Sequence, residues 1–171
     1  IAGATIVESG AALQVSNGIT LSENLTLSGT GVSSGGALRF SANSNTYSGA
    51  ITLAADTSIA SDAGSQTISG TINGAFDLSL TATESLVITG AIGATTALDT
   101  VAINTTIGNL TIGGNIRVTN TGSDAIVINA GSASAAGTTT GGNIIISGSR
   151  TFTTGTGGIV KLYSGSISDS T

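Results

Sequence analysis

A short phrase centred on glycine recurs along this chain and limits the folds that are open to it. Its clearest copies are YSGAI at 47–51, ISGTI at 68–72 and ITGAI at 88–92. The phrase and its looser copies are centred on Gly29, Gly49, Gly70, Gly90, Gly114, Gly148 and Gly165. The first five of these glycines follow one another at a nearly constant interval. An interval of this size, roughly 20–24 residues, is typical of solenoids, in which each unit buries its apolar side by stacking on the next.

The segments between the glycines have the pattern of short β-strands. Apolar and polar residues alternate at 25–27, 78–80, 110–112, 116–118 and 126–128, and Gly, Asn, Asp and Ser bound these runs. Proline, which would remove a ladder N–H group, is absent. We therefore predict an all-β fold: a single-stranded parallel β-helix, or β-solenoid, with about eight coils of roughly 20–24 residues. Residues 1–171 are predicted to form one domain.

The glycine at the centre of the phrase shares its strand parity with the large residues two positions before and after it. All three side-chain positions are therefore expected to face the core. A glycine there leaves room for a residue from the opposite wall, or it permits a bend between two strands. The sequence leaves both explanations open.

Composition excludes several classes of function. The net charge of −5 gives no electrostatic support for binding nucleic acid. No apolar stretch approaches the length of a membrane-spanning helix. The chain has no Cys, so it has neither disulfides nor thiolate metal ligands. Because it starts at Ile1 and contains no Met, we expect a segment or processed form of a longer protein.

One stretch interrupts the repeat. The interval from Gly114 to Gly148 is much longer than the others, and residues 129–142 within it are rich in Gly, Ala, Ser and Thr. We predict a loop inserted at 129–142 that projects from the rod. It is either a permissive corner without a role or a contact loop for a partner.

Three aspartates recur at nearly the repeat spacing. Asp56, Asp77 and Asp99 follow one another at about the interval of the glycines, so stacked coils could place them in a column. A calcium ladder is one explanation, although Ca²⁺ takes about six to eight oxygen ligands and one carboxylate per coil supplies few of them. Corner aspartates that bond to local backbone N–H groups are the favoured explanation.

Catalytic residues are sparse. The nine carboxylates are spread along the chain, and there is no His or Cys to act as base or nucleophile. We predict neither an enzyme nor a cofactor. Tyr47 and Tyr163, both two positions before a phrase glycine, are expected to pack in the core, because a sugar-stacking role would need exposed rings.

The first part of the chain resembles the β-strand repeats of large bacterial autotransporter passengers and of filamentous-haemagglutinin-like exoproteins. The similarity rests on IVESGAAL at 6–13, GITL at 18–21, LTLSGTGV at 25–32 and NTYSGAITL at 45–53. It implies a right-handed parallel β-helix that is exported and displayed on, or released from, a Gram-negative surface. The family has no shared catalytic residues.

Two functions remain open. The first is a non-catalytic structural solenoid at the bacterial surface or outside the cell. It would serve as an adhesin stalk or a self-associating fibre for cell adhesion or a biofilm matrix. Its partners would be other copies, stacked head to tail through their coil ends, or neighbouring solenoid segments. The alternative is a passenger module that binds polysaccharide through one face of the solenoid or through the 129–142 loop.

Overall fold

The computed structural model describes residues 4–166 and 168–171, and the described chain folds into stacked parallel β-strands. Ile167, which ends the last copy of the glycine phrase, lies outside this part. The strands are β1 (Thr5–Val7), β2 (Leu13–Val15), β3 (Thr20–Leu21), β4 (Leu25–Gly29), β5 (Leu38–Phe40), β6 (Thr46–Tyr47), β7 (Ile51–Ser61), β8 (Gln66–Ile68), β9 (Ile72–Asn73), β10 (Leu78–Ala82), β11 (Leu86–Ile88), β12 (Val101–Thr105), β13 (Leu110–Ile112), β14 (Ile116–Arg117), β15 (Ile126–Asn129), β16 (Ile144–Ile146), β17 (Phe152–Thr153) and β18 (Val160–Tyr163). The prediction of an all-β parallel solenoid is confirmed.

Helical structure is limited to one 3-10 turn, Val32–Ser34, within the described ranges. None of the helical structure seen in residues 4–166 and 168–171 has the length and apolarity needed to cross a membrane.

Each coil contributes to three ladders of parallel strands. Ladder A contains β1, β4, the first half of β7, β9, Ile92, β14 and β17. Ladder B contains β2, β5, the second half of β7, β10, β12, β15 and β18. Ladder C contains β3, β6, β8, β11, β13 and β16. Ladders A and B share β7, which passes from one to the other without a loop.

The chain makes fewer turns than the sequence predicted. From the first to the last strand of ladder C it completes about five turns, so eight coils are not confirmed. The reason is that some coils are longer than the repeat. In ladder A, Leu25 is paired with Ile51, and Ile116 with Phe152. Each of these pairs is separated by more residues than Ile51 and its partner Ile72 in the same ladder.

The core consists of columns of inward-facing side chains, because the register places equivalent residues of successive coils above one another. The Leu13 column contains only Leu and Ile: Leu13, Leu38, Ile59, Leu80, Ile103, Ile128 and Leu162. A second column, in ladder C, contains Leu21, Tyr47, Ile68, Ile88, Ile112 and Ile146. Neighbours in a column are about 4.8 Å apart. Each fully buried aliphatic side chain contributes about 1.5–3 kcal/mol relative to an exposed one.

Four glycines of the phrase form a column at the corner where the chain passes from ladder C to ladder A. Gly49, Gly70, Gly90 and Gly114 are all buried, as are the residues two positions on either side of each. Their φ angles are not positive, so glycine is needed here for close approach. A Cβ on Gly70 would lie 1.8 Å from the carbonyl oxygen of Gly49. Of the two explanations that the sequence left open, the bend between strands applies here, and neighbouring backbone occupies the space of the missing side chain.

The other three glycines of the phrase occupy different positions. Gly29 ends β4 with a φ of 79°, and a Cβ there would meet Ser9 Oγ at 2.7 Å. Gly148 is exposed, with a φ of 78°. Gly165 is buried after β18, near the carbonyl oxygens of the connection between β15 and β16. These copies of the phrase resemble the others in sequence but do not extend the column.

The connection between β15 and β16, residues 130–143, is much longer than its counterpart in the preceding coil, residues 106–109. It corresponds to the insertion predicted at 129–142. Its base is buried, and most of residues 132–140 are exposed. Hydrogen bonds join it to the last coil, from Ala130 N to Tyr163 O (2.8 Å) and from Gly165 N to Gly142 O (2.7 Å). The inserted loop therefore packs beside the final coil of the solenoid.

Candidate interaction surface

The aspartates proposed as calcium ligands do not form one column. Asp56 and Asp77 are neighbours in ladder register, and the backbone N–H of Asp77 donates to Asp56 Oδ1 at 3.1 Å. The next position is filled by Thr100, which donates to Asp77 Oδ1 from its backbone N (3.1 Å) and its hydroxyl (2.7 Å). Asp99 is displaced by one position because its coil is longer, and it accepts a hydrogen bond from Asn120 Nδ2.

These contacts are those of corner residues that bond to backbone. Within residues 4–166 and 168–171, no group of three or more His, Cys, Asp or Glu side chains is arranged to hold a metal ion. Asp56 and Asp77 instead link one coil to the next, since each carboxylate accepts a donor from the following coil.

The two tyrosines lie in opposite environments. Tyr47 is fully buried in its column, and its hydroxyl donates to Glu23 O at 2.5 Å. Burial, together with the charge of Glu23, raises the pKa of Tyr47 to about 12. Tyr163 is 50 % exposed, so the prediction that it packs in the core is wrong. The reason is strand parity: in β18 the inward position belongs to Leu162, and Tyr163 points outward beside Asn129.

The last coil leaves the apolar core open. Leu162 is the final member of the Leu13 column, yet it is 46 % exposed, whereas Ile128 beside it is fully buried. A cavity of about 280 Å³ opens at this end, bordered by Ile144, Ile146, Leu162, Ser164, Ser170 and Thr171. Among the described residues, no strand pairs with the outer edge of β18. We call this end, formed by β17, β18 and the cavity, the tail surface.

The first coil also presents inward-facing apolar residues at its outer edge. Leu13 and Leu21, which begin the two core columns, are each only half-buried, and Ile19 is 45 % exposed. In the described part of the chain, β1, β2 and β3 pair with strands on one side only. We call this end, formed by β1, β2 and β3, the head surface.

The head surface is acidic, whereas the tail surface carries charges of both signs. Before Arg39, the only charged side chains are Glu8 and Glu23. The Glu23 carboxylate is directed to the first coil, because its Oε1 accepts a hydrogen bond from Thr5 Oγ1 at 2.7 Å. The tail surface carries the exposed Arg150, which donates to Ser147 O.

Three further charged groups lie at or near the tail surface. Lys161 forms an ion pair with Asp124 at 2.7 Å, and this contact raises the pKa of the lysine and lowers that of the aspartate. Asp169 lies close to the end of the chain and is exposed. Sequence reasoning anticipated contacts through the coil ends, but it did not identify Leu13, Leu162 or Arg150 as the residues involved. Leu13 and Leu162 can be recognised as the two ends of one column only when the strand register is known. Arg150 is located by its alignment with the column of phrase glycines.

Comparison with known proteins gives no further assignment. No protein-family model, curated protein or solved structure matches this chain. The functional argument therefore rests on the geometry of the solenoid and its two end surfaces.

Proposed function

We propose that this chain is a non-catalytic structural module: a β-solenoid rod that associates through its end coils to build a longer stalk or fibre. The observation that carries the proposal is the open core at the tail surface, where Leu162 is 46 % exposed at the end of a column whose interior members are all buried. Burying such a side chain is worth about 1.5–3 kcal/mol. Covering the exposed Leu162 with another coil therefore lowers the free energy of the assembly.

Two further features support association through the ends. Among the described residues, no strand pairs with the outer edges of β17 and β18 at one end or of β1, β2 and β3 at the other, so another parallel strand can bond to the backbone groups there. Only 8 % of the residues are charged, so little electrostatic repulsion opposes contact between copies.

We further propose that the coil is right-handed and that the protein acts at the bacterial surface or outside the cell. Parallel crossover connections within one sheet are right-handed in about 98 % of cases, which supports the handedness. The extracellular location rests on the resemblance of residues 4–70 to autotransporter passengers and related exoproteins. In that setting a rod built by end-to-end contact would serve cell adhesion or form part of a biofilm matrix.

Negative-stain electron microscopy of the purified chain, at micromolar and then at nanomolar concentration, tests this proposal. We expect rods that are longer than a single chain at micromolar concentration and that shorten on dilution. Isolated short rods at every concentration would overturn the self-associating function.

A second candidate function, glycan binding, is favoured by the exposure of Tyr163. Its ring is outward-facing, and its backbone carbonyl is bonded to Ala130 at the base of the inserted loop. An exposed aromatic ring beside a loop rich in Ser and Thr is suited to stacking on a sugar. The chain has no Trp and its other tyrosine is buried, so tyrosine fluorescence reports on this site. Quenching by oligosaccharides that is lost in Tyr163→Ala would support binding, and no quenching by any member of a glycan panel would exclude it.

A further inference from the structure

We propose that two copies join head to tail, with the tail surface of one copy on the head surface of the next and with the register of ladders A and B continued across the joint. In this arrangement Leu162 of one copy lies against Leu13 of the next, and Tyr163 lies beside Gln14. The inference rests on the proposed function, since it specifies which surfaces meet and in which alignment.

The first argument is the composition of the Leu13 column. Every member is Leu or Ile, and the two least buried members are those at its ends, Leu13 and Leu162. Placing Leu162 on Leu13 adds one more pair of the kind that already occurs at each step, such as Ile103 on Ile128. The joint therefore needs no new packing geometry.

The second argument is the match of strands. β17 and β18 belong to ladders A and B, and these ladders begin with β1 and β2 in the first coil. The unpaired strands of the tail surface and those of the head surface thus belong to the same two ladders. They also run in the same direction, as parallel pairing requires. Each step within the rod already joins such edges at about 4.8 Å. In ladder C, the outer edge of β16 is already bonded to Thr171, from Thr171 N to Ile144 O (3.0 Å) and from Ile146 N to Thr171 O. The continued register therefore concerns ladders A and B, and Leu21 would face the cavity that Thr171 borders.

The third argument is charge at one corner. Glu23 aligns with Gly49 and lies one coil inside the head surface, because β1 precedes β4 in ladder A and Thr5 of β1 donates to the Glu23 carboxylate. Counting back two positions from the pair of Ile116 and Phe152 aligns Arg150 with Gly114 at the other end. A head-to-tail joint therefore places Arg150 of one copy two coil steps, about 10 Å along the rod, from Glu23 of the next, at the same corner.

A head-to-tail contact is heterologous, because the two copies use different surfaces. Its repetition does not close on itself, since each added copy presents a fresh tail surface, and the product is an open filament. This predicts a distribution of lengths that grows with concentration.

Disulfide trapping tests the alignment directly. The chain contains no Cys, so the single variants Gln14→Cys and Tyr163→Cys each introduce one thiol. The two positions end one outward-facing column: Gln14, Arg39, Ala60, Thr81, Asn104, Asn129 and Tyr163. Continued register brings their Cα atoms about 5 Å apart, within the range that a disulfide spans. A mixture of the two variants under mild oxidation should give a mixed disulfide as the main product.

The matched control replaces the Tyr163 variant with Thr81→Cys, which lies in the same column but in the middle of the rod. This control mixture should give much less mixed disulfide. A second readout is charge: Arg150→Glu should raise the apparent Kd of association about two- to fivefold, and Glu23→Arg in the same chain should restore part of the loss.

The outcomes separate the inference from the proposed function. If the unmodified chain associates but each cysteine variant links mainly to itself, or the mixture links no better than the control, the head-to-tail alignment is wrong and the structural function stands. If the unmodified chain stays monomeric and no mixture links, both are wrong.

Discussion

Gly90 lies so close to Gly70 in the preceding coil that a Cβ on Gly90 would come 1.8 Å from the carbonyl oxygen of Gly70. The same contact recurs between Gly49 and Gly70, and a Cβ on Gly114 would lie 2.1 Å from Gly90 O. The corner between ladders C and A is therefore closed by backbone stacked on backbone, and no larger residue fits without moving a coil.

Gly90→Ala should accordingly destabilise the protein strongly. Because backbone must shift to admit the methyl group, we expect a loss of about 3 kcal/mol or more in the free energy of unfolding, measured by urea denaturation. Gly113→Ala is the matched control at the same corner, since its Cβ would lie 3.3 Å from a Thr89 methyl group. Similar losses in the two variants would contradict the account of the column.

The buried amides of Gln66 and Asn45 should be needed for the corner between ladders B and C. Gln66 Oε1 accepts from Asn45 N (2.9 Å), and Gln66 Nε2 donates to the carbonyl oxygens of Asn43, Ala63 and Gly64 at 2.8–3.0 Å. Gln66→Leu introduces the same apolar residue that its ladder partner Leu86 already supplies. The substitution leaves Asn45 N and the three carbonyl oxygens without their Gln66 partner. Unsatisfied buried groups cost about 1–3 kcal/mol each, so we expect a loss of at least about 2 kcal/mol in unfolding free energy. Unchanged stability would show that the amide network contributes nothing.

Tyr47 should make the protein sensitive to strongly alkaline pH. Its pKa is raised to about 12 in the folded state from an ordinary value of 10.0, so folding favours the neutral phenol. The contribution of this group to stability is complete below about pH 10 and is lost as the pH rises toward 12. Tyr47→Phe should remove this part of the pH dependence in denaturation curves measured across that range. A curve of the same shape in Tyr47→Phe would contradict the assignment.

Asp77 should act as a hydrogen-bond acceptor rather than as a calcium ligand. Asp77→Asn retains an oxygen that can accept from Thr100, so we expect a change within about 0.5 kcal/mol, while Asp77→Ala should cost about 1 kcal/mol. The melting temperature of the unmodified protein should be the same in calcium and in EDTA. Stabilisation by calcium that disappears in Asp77→Asn would restore the metal hypothesis.

The stacking of coils could be predicted from the sequence because both of its signals are local. Alternation identifies strands such as β10 and β13, and the glycine spacing gives the step from Gly49 to Gly90. Coil length is set elsewhere. The connections at the corners between strands differ in length from coil to coil. The number of turns and the position of Asp99 therefore depend on the strand register, which the spacing of one motif does not determine.

The end surfaces could be predicted only in outline, for a related reason. Tyr163 precedes Ser164 and Gly165 as Tyr47 precedes Ser48 and Gly49, yet one tyrosine is exposed and the other is buried. The difference comes from the ladder that each strand joins: β6 lies in ladder C and β18 in ladder B. Local sequence contains no signal for that choice, because neighbouring coils determine it.

Sedimentation velocity of the purified chain, from nanomolar to high micromolar concentration, tests the central claim of end-to-end association most directly. We expect the weight-average mass to rise above the monomer value of 16.4 kDa with concentration. Leu162→Asp, which places a charge in the joint, should abolish this rise, whereas Ala102→Asp, which places the same charge on the exposed side of the rod, should not. A single species of monomer mass at every concentration, or equal behaviour of the two variants, would contradict the claim.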